Sequence, residues 1–575
     1  MAARPVMIGL SAQDYAAQAM AAAQRGDRVS ALATLAQGTA AHPKDGQLWH
    51  YSASLRLQSG DPAGAAEHFG KASALVPANF DWAIDHAIAL SAAGRNEEAL
   101  DVLAKIERQA RSHAHYWSTR GNAARGAGKM ALSAEYYDKA LAIEPARPKA
   151  LHGRAAVALE RGETGAAARF DRALAVLQSD PEAWLGKAQA LDAEGRVEEA
   201  RELAQMLVDR IPRWQAALKF LAQLRLAAAE PDFASHYGEA AKKAPGDTAI
   251  FTEWAHQYYG LGEPGKALEV IRQARRTFPD AARLALVEAF YAGAAGENAA
   301  AEALFASLSD DTEERWVHEG RHALRQGELD RAEEALAKAI AHNPGSISAW
   351  AGRDFVWRLT GNERAHWLHG QEGLVRLMEL EDADKVLPPA IAVLEQIHEN
   401  SPFPLGQSLR GGTQTRGRLF DRTEPAIIAL GQAIEATLER YREGLPPADE
   451  SHPLLRHRDN PWAIKGSWSV RLSGGGDYHA PHVHPQGILS SALYLVLPPM
   501  NDADDTKAGW LELDRPPPDL GLDLDPLYTL RPREGHLALF PSTLYHGTVP
   551  FSQSRRMTVA FDVQPAMNGG WATGI

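Results

Sequence analysis

A chain of 575 residues is too long for one ordinary core, so at least two domains are expected. It contains no cysteine, which excludes disulfides, thiolate metal sites and a cysteine nucleophile, and leaves histidine, carboxylate or water for any metal. The net charge of −13 argues against nucleic acid or an anionic membrane as partner, and no apolar run approaches the ~20 residues that span a bilayer, so a cytoplasmic protein with a signal-free start is expected.

Residues 1–370 are ruled by glycine. Gly26, Gly60, Gly94, Gly128, Gly162, Gly195, Gly262, Gly296, Gly327 and Gly361 follow one another in steps of 34, 34, 34, 34, 33, 67, 34, 31 and 34. Each is expected where one helix stops and the next begins, since such a turn needs a residue that tolerates positive φ. The double step of 67 predicts a degenerate repeat whose turn lies near "AAAEPDF", residues 227–233. Small residues recur after each turn, as in Ala65, Phe69 and Ala72 closed by Pro77, or Ala332, Leu336 and Ala339 closed by Pro344. Trp49, Trp117, Trp184, Trp316 and Trp350 each stand 11 residues before a turn and are expected as knobs between helices.

This pattern resembles the tetratricopeptide repeat, a helix pair of about 34 residues that stacks into a right-handed superhelix. The resemblance implies about ten or eleven repeats and a concave face for a protein or peptide partner, with Asn122 and Arg125 among the outward residues.

Residues 371–465 change character. Prolines and the polar loop "SLRGGTQT" appear, and residues 423–445 space their apolar positions as one amphipathic helix. This segment is expected as a helical linker and N-terminal support for a C-terminal domain. Over residues 466–575 the pattern becomes short and β-like in "GSWSVRLS", "ILSSALYLVL", "AGWLELD", "HLALFP" and "RMTVAFDV", which predicts a small barrel or jelly roll.

Histidines cluster on that scaffold in "DYHAPHVHPQG". His482 and His484 are two apart, so on a strand they share a face and could converge on one ion, whereas His479 would face the other way. His546 follows a strand and a turn in "GHLALFPSTLYHGTVPFSQSRR", where a jelly roll could fold it against the pair. Arg556 opens the last clear strand, and Arg555 would point away. His536 lies outside the pattern, and His452 and His457 look like exposed loop residues.

These features together resemble the iron(II) and 2-oxoglutarate-dependent oxygenases over residues 400–565. Tyr478, Pro481 and His482 fall in register with the prolyl-hydroxylase-type "Y-x-x-P-H-x-D" segment, and "EGHLALFPSTLYHG" is similar to the strand leading to that family's distal histidine. The coupling of repeats to such a domain resembles a bacterial branch of the family. The resemblance implies a multidomain α + β protein: an α-solenoid followed by a double-stranded β-helix, or jelly roll, with flanking helices. It implies His482, His484 and His546 as metal ligands, with catalytic roles for these three and Arg556. Arg556 and Tyr478 would bind the cosubstrate, and Arg410 and Thr413 could line the substrate mouth or fix a loop. The implied cofactors are Fe(II), 2-oxoglutarate and O2, with ascorbate as an accessory reductant.

His484 stands where most of the family has Asp or Glu. The iron could then be held by three imidazoles, or by two histidines and water, with Asp477 and Glu512 as further carboxylate candidates. The implied activity is hydroxylation of a protein or peptide side chain. Two alternatives stay open: a non-catalytic repeat scaffold with a degenerate barrel, and a cupin-type metalloenzyme that ignores 2-oxoglutarate.

Overall fold

The computed structural model describes residues 10–405, 408–499, 507–551 and 554–565. It divides into two compact units, the first running to Ala183 and the second spanning Trp184–Pro565.

The first unit is built from antiparallel helix pairs, beginning with Ala12–Gln24 and ending with Ala166–Leu174. Its interior is lined by the small and aromatic positions of the repeat: Ala65, Phe69, Ala72, Ala134, Tyr137 and Ala140 are almost wholly buried. The helix Pro181–Ala193 crosses the boundary, and the second unit holds further helix pairs up to Ile347–Thr360. Every glycine of the ruler has φ between 64° and 82°. In the degenerate repeat the turn falls between the helices Gln215–Ala227 and Ser235–Lys243, and Ala229 takes the left-handed conformation there with φ 55°.

The tryptophans depart from the expected knobs. Trp117 and Trp350 are buried, but Trp49, Trp184 and Trp316 are only partly so. An indole N–H donates to a carbonyl six residues earlier in Trp49, Trp117 and Trp350, and a lysine lies over the ring in Trp49, Trp117, Trp184 and Trp316. The amphipathic ring therefore clips the preceding inter-helix loop and leaves one face for a cation.

The β region consists of β1 (Arg376–Glu379), β2 (Leu409–Arg410), β3 (Thr413–Gln414), β4 (Trp462–Leu472), β5 (Tyr478–His479), β6 (Leu489–Val496), β7 (Leu511–Leu513), β8 (Tyr528–Leu530), β9 (His536–Pro541), β10 (His546–Thr548) and β11 (Arg556–Pro565). A six-stranded antiparallel sheet has the order β1-β9-β6-β11-β4-β3; β10-β7-β8 and β2-β5 form the rest. The strands of residues 466–575 follow the expected segments. The large sheet also draws β1 and β3 from residues 371–465, so the expected helical support contributes strands as well.

Alternation along the strands decides what each face covers. Met557, Val559, Phe561 and Val563 of β11, with Leu537 and Leu539 of β9, pack under the helices Ala383–Glu399 and Pro425–Glu443. The opposite face carries Tyr494, Ala538 and Phe540, which meet Leu511 and Leu513 of the small sheet. Arg556, Thr558 and Asp562 share that inward parity on β11.

Within the second unit the last repeats support the barrel directly. Phe355 stacks on Tyr545 with ring centroids 5.4 Å apart, in a cluster that also holds Val483 and Leu520. Arg321 and Arg325 both pair with Asp519, at 2.7 and 2.6 Å. His452 corrects the sequence expectation: it is fully buried, its Nε2 sits 2.9 Å from the Leu368 carbonyl, and its Nδ1 accepts from the Leu454 and Leu455 N–H groups. His457 is half-buried, not exposed.

Candidate metal centre

The three histidines meet through backbone pairing. His482 and His546 form an isolated antiparallel bridge, with the His482 N–H on the His546 carbonyl at 3.1 Å and the reverse bond at 2.9 Å. His484 lies in irregular backbone, so the expected strand is absent here, yet the extended chain still puts His482 and His484 on one side. Val483 between them points into the cluster around Phe355 and anchors the segment. Ring centroids are 4.2 Å apart for His482 and His546, and 5.0 Å for each pair that includes His484.

Each ring has a defined partner at Nδ1. That of His482 lies 2.8 Å from the Ala480 carbonyl, and that of His546 lies 3.1 Å from the Leu544 carbonyl. A carbonyl oxygen can only accept, so these nitrogens carry the proton and each Nε2 is left with its lone pair. Asp562 Oδ1 lies 2.6 Å from His484 Nδ1, without the alignment of a hydrogen bond, and its negative charge favours a proton on that nitrogen and the same tautomer. His482 Nε2 and His484 Nε2 are then 3.0 Å apart with lone pairs facing. Such a contact is repulsive unless a cation stands between the nitrogens. Burial, followed by the neighbouring imidazoles, pushes His482 and His546 well below the ordinary histidine range, which keeps them neutral and fit to ligate. Trp468 stacks on His484 at 5.5 Å and Phe540 meets His546 edge-on at 5.0 Å, so the rings are held in place.

The donor set therefore suits a divalent ion with imidazole affinity, iron(II) included. Among the described residues the histidines stand as a trio without a carboxylate of their own. Asp477 accepts from the Ser473 N–H, and Glu512 pairs with Arg515, so neither candidate carboxylate is turned to the trio.

Arg556 is 2% exposed. Its Nη1 donates to Thr548 Oγ1 at 3.2 Å, and its guanidinium lies 5.4 Å from the Tyr494 ring centroid. Thr548 is two residues beyond His546 on β10, so the arginine and the histidine lie on the same side of that strand. Burial works against the guanidinium charge, and no carboxylate among the described residues pairs with it. Arg555 behaves as expected, reaching out to Glu395 at 2.6 Å.

The remaining candidates divide. Tyr478 sits opposite Arg410 in the β2–β5 pair. The Thr413 hydroxyl lies 2.9 Å from His398 Nδ1, whose Nε2 meets Ser469, so Thr413 holds its loop to the barrel. His479 corrects the strand argument: it does not face away but stacks on His482 at 6.0 Å, and burial with the nearby Arg556 charge pushes it down to about 3. His536 lies 3.1 Å from the Glu534 carbonyl, at the end of β9. Tyr494, Thr548 and Asp562 were missed. His546 and Arg556 signalled two of them by parity, since Thr548 and Asp562 each stand an even number of positions along the same strand.

Comparison with known proteins matches the β region and the repeats separately. Residues 466–562 match the family described as "Putative 2OG-Fe(II) oxygenase". The chain joins tetratricopeptide repeats to a domain of that family. Residues 56–123, 151–217 and 318–353 match tetratricopeptide repeats. No curated protein matches. Similar solved structures include MamA 41-end from Desulfovibrio magneticus RS-1, at 21% identity over 30% of this chain and 98% of its own, with a TM-score of 0.28. TTC0263, a thermophilic repeat protein of Thermus thermophilus, matches at 22% identity over 32% and 99%, with a TM-score of 0.27. PilW, a type IV pilus biogenesis factor, matches at 18% over 36% and 96%, with a TM-score of 0.33. No helix among the described residues is long and apolar enough to cross a membrane.

Proposed function

We propose that the chain is an iron(II)- and 2-oxoglutarate-dependent dioxygenase that hydroxylates a side chain of a protein or peptide held by its repeats. The observation that carries this reading is the facing pair of Nε2 lone pairs at 3.0 Å, in a barrel that also buries an arginine with no carboxylate partner among the described residues. When bound, iron(II) and 2-oxoglutarate would supply oxidation of a C–H bond by O2, with succinate and carbon dioxide as co-products.

The residues divide that work. His482, His484 and His546 would hold the ion, and three protein ligands would leave it able to take small ligands. Asp562 holds His484 in the ligating tautomer. Arg556 provides charge-assisted hydrogen bonds to the far carboxylate of the cosubstrate, with the Thr548 hydroxyl and the Tyr494 ring fixing the guanidinium. Phe540 and Trp468 keep the rings from turning.

The decisive assay gives the purified chain iron(II), 2-oxoglutarate and ascorbate under air and measures succinate. Succinate above a no-enzyme control, lost in His546→Ala, supports the reading. Its absence from iron-loaded protein would favour the non-catalytic scaffold, and metal-dependent turnover indifferent to 2-oxoglutarate would favour the cupin-type enzyme.

Delivery by the repeats needs its own test. A cut near Val386 would remove β1 together with Leu374 and Leu380 of the barrel core, so it would damage the enzyme itself. A cut after Ala183 follows the boundary between the compact units. That truncated chain should keep iron and slow uncoupled turnover of 2-oxoglutarate, yet lose hydroxylation of partners captured by the His546→Ala protein. Unchanged kcat/KM on a captured partner would dismiss delivery by the first unit.

A further inference from the structure

A second convergence of ligating atoms lies outside the barrel's histidine trio. Asp354 comes from the helix Ile347–Thr360, His369 from the turn His366–Gly370, and Asp514 from the residue after β7. All three side chains are wholly buried, and one donor atom from each lies within 4.8 Å of the others. His369 Nδ1 stands 3.1 Å from Asp354 Oδ1 without the alignment of a hydrogen bond.

The unsatisfied atoms carry the argument. No N–H or hydroxyl group donates to either oxygen of Asp354 or to Asp514 Oδ1, and His369 Nδ1 is also without an aligned partner. The Asp354 and Asp514 carboxyls are within hydrogen-bonding reach of each other, so a proton or a cation must stand between them. Leaving one buried polar atom unmatched ordinarily costs about 1–3 kcal/mol, so four at one point are improbable unless something joins them. The surroundings orient the group from outside. His369 Nε2 lies 2.8 Å from Thr543 Oγ1, Tyr528 donates to the His369 carbonyl, and Arg358 holds the other oxygen of Asp514 at 2.5 Å. Arg358 also donates to the Asp514 and Asp525 carbonyls and is itself partly exposed, so its charge is spread beyond the cluster.

We propose that Asp354, His369 and Asp514 form a second, structural site for a divalent cation of the zinc class. One imidazole and two carboxylates are a zinc-compatible donor set, their charge balances a divalent ion, and water would complete four-coordination. Thr543 on the far nitrogen of His369 is the kind of outer contact that fixes a ligand's tautomer. Burial pushes Asp354 up to about 6, burial and then the Asp354 charge push Asp514 well above the carboxylate range, and burial pushes His369 down to about 4. A cation relieves both effects.

The site would have a mechanical role. Asp514 N–H donates to the Tyr545 carbonyl at 2.5 Å, and Leu513 lies opposite His546 in the β7–β10 register. An ion here would tie the last repeat helix to the strand pair that carries the distal histidine.

The test uses the full chain carrying His482→Ala and His546→Ala, which disables the barrel trio whatever that trio binds. The protein is isolated from zinc-supplemented cells, dialysed against EDTA and analysed for metal, with folding followed by circular dichroism. One zinc per chain is expected, falling at least tenfold when Asp354→Asn or His369→Gln is added. Folded parent protein without zinc would overturn the site and leave a proton shared by the two carboxylates. So would undiminished zinc in both folded variants. Should the added substitutions prevent folding, zinc in the parent still decides, with Co2+ substituted for Zn2+: tetrahedral visible bands with nitrogen and oxygen ligation support the proposal, and an octahedral spectrum overturns it. Failure of the barrel's iron reading would appear separately, as wild-type protein without succinate production.

Discussion

Arg321 and Arg325 lie where the last repeats meet the barrel, and Arg556 lies inside the barrel; all three are substantially withdrawn from water. The first two share Asp519, at 2.7 and 2.6 Å, whereas Arg556 has a threonine hydroxyl and a tyrosine ring. The same contrast holds for histidine. His398 and His452 have both ring nitrogens occupied by protein groups, while the barrel trio points three nitrogens at one another. Where the chain supplies the partner, the polar group fixes structure. Where it does not, the group awaits a ligand, and its removal should alter binding more than stability.

The largest effect should come from the trio. His482→Ala or His546→Ala should abolish iron binding and succinate formation, and His482→Ala should leave the unfolding midpoint of metal-free protein unchanged or higher, because it removes the repulsive contact with His484. Metal analysis and thermal melts check this; retained iron in both variants would sink the centre. His484→Asp should also lose iron, because the shorter side chain would bring a second carboxylate towards Asp562.

Asp519→Ala should do the opposite. It leaves two adjacent buried guanidinium groups uncompensated, which ordinarily costs about 3–5 kcal/mol. Urea unfolding should show that loss, with iron content per folded molecule preserved. Stability unchanged by Asp519→Ala would erase the distinction between the two regions.

Acid should next discriminate among the histidines. Burial pushes His398 and His452 down to about 4 from an ordinary 6.5. Both are neutral in the folded and unfolded chain above pH 6.5, where their contribution is intact. As pH falls from 6.5 to about 4, the unfolded chain takes up protons that the folded chain refuses, and stability drops by on the order of 3 kcal/mol for each. His452→Gln should flatten part of that slope in thermal midpoints recorded across the window.

Arg556→Ala is expected to raise the KM for 2-oxoglutarate at least tenfold, or about 1.4 kcal/mol, with iron retained and stability not reduced. Arg555→Ala should change neither, since that side chain is more than half exposed on Glu395. Equal effects from the two would reverse the assignment of faces on β11.

How much of this was legible depended on whether a signal was periodic. The glycine ruler located the helix turns because one backbone requirement repeats, and the alternation of β11 separated Arg556 from Arg555. The trio was visible through the two-residue spacing of His482 and His484 and the context of His546. Asp562 was visible only by parity, and Tyr494 not at all, because contact across the barrel leaves no trace in local spacing. His479 was misjudged since the strand that carries it ends there and irregular backbone follows. Asp354, His369 and Asp514 are separated by up to 160 positions and came together only in the fold. His452 sat among polar residues that resembled a loop, and long-range packing buried it.

The smallest expected effect concerns Ala229, which asks whether an unrelieved penalty in the repeats also serves function. It holds φ 55° in a turn where the regular repeats use glycine. For a residue with a Cβ that conformation costs roughly 1–2 kcal/mol, and Ala229→Gly removes the strain. Glycine also makes the unfolded chain more flexible, which offsets about 0.4–1 kcal/mol. The net gain should be around 0.5–1 kcal/mol, seen as a higher urea midpoint with unchanged slope. Turnover of 2-oxoglutarate should not change, because no ligand is expected at this turn. If Ala229→Gly instead lowers stability, the position depends on its methyl group. If it alters hydroxylation of a captured partner, the degenerate repeat is part of the binding surface, and the division between structural repeats and a ligand-seeking barrel would have to be redrawn there.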